Sequence, residues 1–144
     1  MIRLMNLAAS GACALFLGST AMAQEAVKLT DELFTLPWVI AEFEGQSDAE
    51  FVTAPTLSMF EVKSRDVGGD TPCGNSWNAK IDMDLPAVSI TEVEAFYSDE
   101  CPVYRDTIAL LNALEQVSVA RTGLDGLELI APDGRRLMLL VAGG

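Results

Sequence analysis

The cysteines are the residues of this sequence whose type and spacing first suggest chemistry. The chain has 144 residues, with three cysteines and no histidine. The absence of histidine excludes a Ser-His-Asp or Cys-His catalytic arrangement and a zinc site with imidazole ligands. Cys73 and Cys101 also lack the Cys-x-x-Cys spacing of redox and zinc motifs. These two thiols are therefore candidates for a disulfide or for simple burial.

The beginning of the chain has the pattern of a secretory signal peptide over residues 1–23. Arg3 supplies a positive start, and Leu7–Leu17 forms an apolar run that is too short to span a bilayer. Small residues at Ala21 and Ala23 predict cleavage before residue 24. An uncleaved membrane anchor is the alternative. The pattern predicts a periplasmic or secreted protein.

Removal of the signal peptide also removes Cys13 and leaves Cys73 and Cys101. An even number of cysteines in an exported protein favours a disulfide, and two free buried thiols are the alternative. Cys13 itself follows small residues, as in a lipoprotein signal, so an outer-membrane lipoprotein is a second alternative for the N-terminus. The apolar run that continues after Cys13 favours the cleaved, unlipidated form.

Paired carboxylates are the next candidates for chemistry. They lie close together in sequence at Asp82, Asp84, Glu92, Glu94, Asp99 and Glu100. Such pairs are compatible with a calcium site or an acid/base pair, but no EF-hand-like loop accompanies them. A solvated acidic face is the favoured interpretation. The sequence accordingly predicts no metal and no cofactor.

Four aromatic residues could line an apolar pocket for a small ligand: Trp38, Phe60, Trp77 and Phe96. A curled sheet with a helix over it can enclose such a pocket. A packed core formed by these side chains is the favoured interpretation, because aromatic residues supply much of the buried area of a small domain.

The charge of the chain restricts its partners. The formal net charge is −12. Nucleic-acid binding needs clustered Lys and Arg, so it is not expected. Docking on anionic lipid head groups is disfavoured for the same reason.

Hydrophobic periodicity predicts strands before and after a single helix. Residues 24–35 show no firm period and are predicted as a loose N-terminal lead to a domain over residues 36–142. Gly68 and Gly69 favour a loop over Arg65–Thr71. A slip in alternation at Met59–Phe60 indicates either a bulge or a strand with both faces partly covered. The predicted strands are Leu36–Phe43, Thr56–Lys63, Trp77–Asp84, Val88–Val93, Val117–Thr122, Leu127–Ile130 and Arg136–Val141.

The predicted helix covers Pro102–Val117, and proline is well tolerated at the first helical position. Its apolar stripe is predicted at Tyr104, Ile108, Leu111, Leu114 and Val117. This stripe predicts a helix that packs against a sheet.

The order of landmarks along the chain is informative. They are Leu36-Pro37-Trp38, Pro55–Phe60, Cys73-Gly74-Asn75, Cys101-Pro102, Leu110–Leu114, Leu127-Glu128-Leu129, Asp133-Gly134 and Leu137. In this order they resemble the META domain, or HslJ-like family, of the bacterial heat-shock protein HslJ. The resemblance covers about residues 36–141, although Cys73-Gly74-Asn75 departs from the family's Gly-Cys-Asn order.

The resemblance implies an α+β fold: a small, curled, barrel-like antiparallel β-sheet with one helix packed against it. It also implies residence in the cell envelope and an association with stress tolerance, motility or secretion, without an established reaction. We therefore expect a non-enzymatic protein that contacts an unknown envelope protein, for example through an exposed sheet edge. A carrier or sensor of a small apolar ligand is the alternative, and the oligomeric state is left open.

Overall fold

The chain folds into a small antiparallel β-barrel. A computed structural model describes residues 27–61 and 63–143. Within them, eight strands follow one another around the barrel in chain order, and one α-helix lies between the fifth and sixth strands. The elements are a 3₁₀ turn (Leu33–Thr35), β1 (Trp38–Phe43), β2 (Thr56–Glu61), β3 (Asp66–Asp70), β4 (Ser76–Asp84), β5 (Ala87–Ala95), α1 (Tyr104–Glu115), β6 (Val119–Thr122), β7 (Leu127–Ile130) and β8 (Arg136–Ala142). The predicted signal peptide and Cys13 lie outside the described residues.

The barrel closes by pairing its first strand with its last. β1 and β8 run antiparallel from the Trp38–Ala142 pair to the Phe43–Met138 pair. The expectation of a curled, barrel-like antiparallel sheet with one helix is therefore confirmed in outline, in a molecule that is mostly β. Pairing of β1 with β8 leaves no free edge at either end of the strand order, although much of β5 has no strand partner on its β6 side. Contact through a sheet edge stays a prediction.

Helix α1 covers the part of the barrel where β5 and β6 are scarcely paired. β5 and β6 are joined at a single residue pair, Ala87 and Val119, so most of β5 has no strand on that side. Helix α1 packs against β5 and contributes Leu110 and Leu114 to the core. The helix therefore substitutes for a longer sixth strand.

The buried face of the helix differs in part from the predicted stripe. Tyr104, Ile108 and Leu111 are only half-buried, whereas Asp106 and Thr107 are buried. The burial of these two polar residues is explained by their partners on other segments, described below. The inward register follows Val103, Thr107, Leu110, Leu114 and Val117.

The predicted loop over Arg65–Thr71 is wrong, because Asp66–Asp70 forms β3 in the middle of the sheet. Gly68 and Gly69 lie in this strand because neighbouring atoms occupy the space that a side chain would need. A Cβ atom on Gly69 would lie 1.9 Å from the carbonyl oxygen of Thr56. That same oxygen accepts a hydrogen bond of 3.0 Å from the indole of Trp77. Gly69 therefore leaves room for a backbone carbonyl that a core tryptophan uses.

The N-terminal lead also differs from the expectation of a loose segment. Leu33 and Phe34 are buried and belong to the core, and the carbonyl of Leu33 accepts a 2.8 Å hydrogen bond from the indole of Trp38. These contacts hold the turn against the barrel. The ordered domain thus begins before residue 36.

Candidate functional site

The predicted disulfide is present and ties together two connections at one end of the barrel. Cys73 lies between β3 and β4, Cys101 lies between β5 and α1, and their Sγ atoms are 2.05 Å apart. In a barrel whose strands alternate in direction, these connections and the β1–β2 connection emerge at the same end. The bridge therefore fixes the approach to the helix onto the turn that precedes β4.

Asp106 fastens the long β1–β2 connection to the same end. Its two carboxylate oxygens accept hydrogen bonds from the backbone N–H of Ser47 at 2.7 Å and from the Ser47 hydroxyl at 2.8 Å. Asp106 is buried and lies in the first turn of α1, where the helix dipole also favours negative charge. Next to it, the Thr107 hydroxyl lies 3.3 Å from Cys73 Sγ. Helix α1 is therefore the element to which both connections attach.

Replacing Asp106 with alanine is expected to lower the free energy of unfolding by about 2 kcal/mol, because the two hydrogen bonds that Ser47 donates to this buried carboxylate are lost. Chemical denaturation measures this effect. Asp48→Ala is the matched control, since Asp48 is exposed and lies beside Ser47 in sequence. Equal stabilities of the two variants would show that the tether between α1 and the β1–β2 connection contributes nothing.

The four aromatic residues predicted to line a pocket are divided between the inside and the outside of the barrel. Trp38 and Trp77 are buried in the core, and each indole N–H donates to a backbone carbonyl. Phe60 and Phe96 are 67% and 75% exposed. The prediction of one shared pocket is therefore wrong. Phe60 follows the buried Met59 in the alternation of β2 and therefore points outward, and a bulge within β5 turns Phe96 outward.

Phe60 and Phe96 instead share the outer surface of the sheet formed by β2, β3, β4 and β5. The Phe60 ring lies over Gly68, since its carbons are 3.2 Å from where a Cβ atom on that glycine would be. Gly68 pairs with Asn78, and Phe96 directly follows Ala95, which pairs with Trp77. From strand geometry, the positions of Gly68 and Phe96 are about 12 Å apart. We call this surface, from Phe60 across Asn78 to Phe96, the aromatic face.

The predicted acidic residues surround this face without forming a metal site. Asp82 forms an ion pair with Arg65, and Asp84, Glu92 and Glu94 are exposed. Among the residues that the structure describes, no group of three or more Cys, Asp or Glu side chains is arranged to hold a metal ion. The acidic residues lie on the surface, as the solvated-face interpretation predicts.

A recess adjoins the aromatic face and lies beside the end of the helix. Its volume is about 440 Å³, and its polar lining is Asp66, Asn78, Lys80, Glu92, Glu94 and Glu115. Lys80 donates a hydrogen bond to Asp66, which lowers the pKa of that carboxyl and raises the pKa of the lysine. Sequence reasoning did not single out Glu115, because its position beside β4 and β5 depends on how the helix returns along the barrel.

A larger cleft of about 830 Å³ lies next to this recess and shares Glu115 with it. It is lined by apolar side chains such as Met83 and Val88 and by the carboxylates of Asp82 and Asp84. Within the part of the chain covered by the structure, no helix has both the length and the apolar character needed to cross a membrane.

Comparison with known proteins shows a similarity of fold. No protein-family model matches the sequence, and no curated protein matches it. Among solved structures, the NMR structure of a protein from Burkholderia xenovorans is similar, with a TM-score of 0.60 and 16% sequence identity. The match covers 83% of this chain and 94% of that protein. At this identity the match shows a shared fold, that of a small antiparallel β protein. It gives no information about function.

Proposed function

We propose that this protein is an exported, non-catalytic META/HslJ-like domain that works by contact with another protein of the bacterial envelope. The observation that carries the proposal is the aromatic face. Exposed apolar side chains that share one surface often mark a contact surface. Phe60 and Phe96 are open to water on one side of a barrel whose core already includes both tryptophans.

The disulfide and the order of the sequence landmarks support the rest of this proposal. A disulfide is typical of proteins that fold in an oxidising compartment, such as the periplasm or the cell exterior. The META/HslJ-like resemblance associates the domain with stress tolerance, motility or secretion. Because β1 pairs with β8 and helix α1 packs against β5, we place the contact on the outer face of the sheet and not at a strand edge.

Site-specific cross-linking in the producing cell tests this function. A photo-reactive amino acid at Asn78, between the two phenylalanines, should yield a discrete adduct with one envelope protein. The control position is Leu124, a 94% exposed residue in the turn between β6 and β7. Adducts that are absent at both positions, or the same at both, would contradict the proposal.

The alternative, a carrier of a small apolar ligand, has less support because the four aromatic side chains do not converge. Tryptophan fluorescence distinguishes the two functions. Titration with fatty acids should give no saturable change, since both indoles are buried and hydrogen-bonded to backbone carbonyls. A saturable shift in emission that is lost on replacing a core tryptophan with phenylalanine would favour the carrier instead.

A further inference from the structure

The basic side chains of this acidic protein are largely occupied by internal ion pairs. The pairs are Arg65–Asp82, Lys80–Asp66, Arg121–Glu128, Arg135–Glu44, Arg135–Asp133, Arg136–Glu42 and Arg136–Glu128. Exposed ion pairs of this kind contribute little to stability. These pairs matter here because each paired base neutralises a carboxylate. The net negative charge of the protein therefore comes from the carboxylates that have no such partner.

Several of the remaining carboxylates lie beside the aromatic face. Glu92, Glu94 and Glu115 line the 440 Å³ recess together with Lys80, whose ammonium already binds Asp66. Glu94 pairs with Asn78 and lies two residues before Phe96, on the other side of β4 from the Gly68 position that Phe60 covers. The recess thus places the carboxylates of Glu92, Glu94 and Glu115 beside Asn78, the central position of the aromatic face.

The end of helix α1 strengthens this potential. The last turn of the helix contains no basic residue and ends at Glu115, which faces the recess. Unpaired carbonyls give a helix C-terminus a partial negative charge, which a nearby Lys or Arg normally offsets. Here an acidic residue stands in that place, so a cation from outside the chain would be favoured.

From this combination we infer that the aromatic face and its recess bind a cationic, partly apolar peptide segment of a partner protein. The inference rests on the proposed contact function and names its surface and partner class. Apolar side chains of the segment would cover Phe60 and Phe96, and a Lys or Arg between them would reach Glu94 and Glu115. A guanidinium or ammonium also binds favourably over an aromatic ring. The separation of about 12 Å between Phe96 and the Gly68 position, which the Phe60 ring covers, matches about four residues of an extended peptide.

Other occupants fit the charges less well. An anionic membrane surface would be repelled by the carboxylates around the recess. A neutral glycan could stack on the phenylalanine rings, but it would gain nothing from the net charge of the recess. The binding test below therefore distinguishes the cationic peptide from these two other classes of ligand.

The test is a titration of the intact, oxidised protein with a short synthetic peptide that alternates Arg and Leu. Comparison peptides carry Gln or Glu in place of Arg. We expect binding of the Arg peptide alone, and weaker binding at higher salt. Replacing Phe60 and Phe96 together with serine should raise the dissociation constant about tenfold. The double replacement Glu94→Gln and Glu115→Gln should also raise it about tenfold.

Two variants at the turn between β6 and β7 provide matched controls, Leu124→Ser for the aromatic replacements and Asp125→Asn for the charge replacements. Both residues are exposed and outside the proposed surface, so binding should be unchanged. Circular dichroism and melting temperatures verify that each variant is folded.

Several results would overturn the inference. They are equal binding of the Arg and Glu peptides, no binding of any peptide, or unchanged affinity in either double variant. Binding of a neutral oligosaccharide that depends on the phenylalanines but not on the carboxylates would assign the face to glycans. A dimer that dissociates in the Phe60→Ser, Phe96→Ser variant would assign it to a second copy of this chain. If any of these results were obtained but Asn78 still cross-linked to an envelope protein, the inference about the peptide would be wrong and the proposed contact function would still be supported.

Discussion

Replacing Cys73 and Cys101 together with serine is expected to lower the free energy of unfolding by about 3.5 kcal/mol. The two cysteines are separated by 28 positions, and loss of the bridge releases a loop of that length in the unfolded chain. In the chain-entropy account, the unfolded state gains freedom while the folded contacts stay nearly the same. Chemical denaturation of the oxidised protein and of the double variant measures the difference. A loss of this size is a large share of the roughly 5–15 kcal/mol typical of a domain.

Thr107→Val is the control for this prediction. It removes the hydroxyl that lies 3.3 Å from Cys73 Sγ and keeps the covalent bond, so its effect on stability should be much smaller. Mass measurement with and without reductant verifies that the wild-type bridge has formed. Equal stabilities of the oxidised and cysteine-free proteins would mean that the bridge does not contribute to folding.

Replacing Gly69 with alanine is expected to cost about 3 kcal/mol or more, because the added methyl group would collide with backbone. It would meet the Thr56 carbonyl at 1.9 Å, and that oxygen is the acceptor for the Trp77 indole. Relief of the collision must move β2 or β3, and both strands are hydrogen-bonded on each side. Thermal or chemical denaturation measures the loss.

Gly143→Ala is the matched comparison for Gly69→Ala. Gly143 also approaches a carbonyl, that of Pro37, but at 3.1 Å and beyond the end of β8. A small shift of the chain end relieves that contact, so we expect a cost below about 1 kcal/mol. A Gly69→Ala protein as stable as Gly143→Ala would show that the centre of the sheet yields easily.

The parts of the fold that were predictable from sequence are those governed by local pattern. β4 alternates cleanly between buried and exposed residues, and the strands around the Asp-Gly and Pro-Asp-Gly turns lie close to their predicted limits. The slip of alternation at Met59–Phe60 coincides with a bulge in β2. In these segments, local preference and the final packing agree.

β3 was missed because its glycines are explained only by distant partners. Gly68 and Gly69 resemble a turn in sequence, yet they leave space for the Phe60 ring and for the Thr56 carbonyl. The sequence of β3 alone does not indicate which atoms of the two neighbouring strands lie against these glycines. Context of this kind overrides strand propensity.

The helix face and the aromatic face were missed for a related reason. Asp106 and Thr107 are polar and were not part of the predicted apolar stripe, whereas in the structure Ser47 and Cys73 provide their hydrogen-bond partners. The face that is buried, through Val103, Thr107, Leu110 and Leu114, also has helical spacing in the sequence, with one polar residue among its members. By contrast, the outward turn of Phe96 depends on the bulge within β5, which a sequence pattern does not specify.

The covalent link between positions 73 and 101 encloses the entire β4–β5 hairpin, including Asn78, Glu94 and Phe96. A secreted protease that cut the turn between these strands would therefore release no fragment. Both pieces would stay joined through sulfur, and re-association would be an intramolecular event at high effective concentration. The hairpin that carries much of the aromatic face is thus retained after nicking.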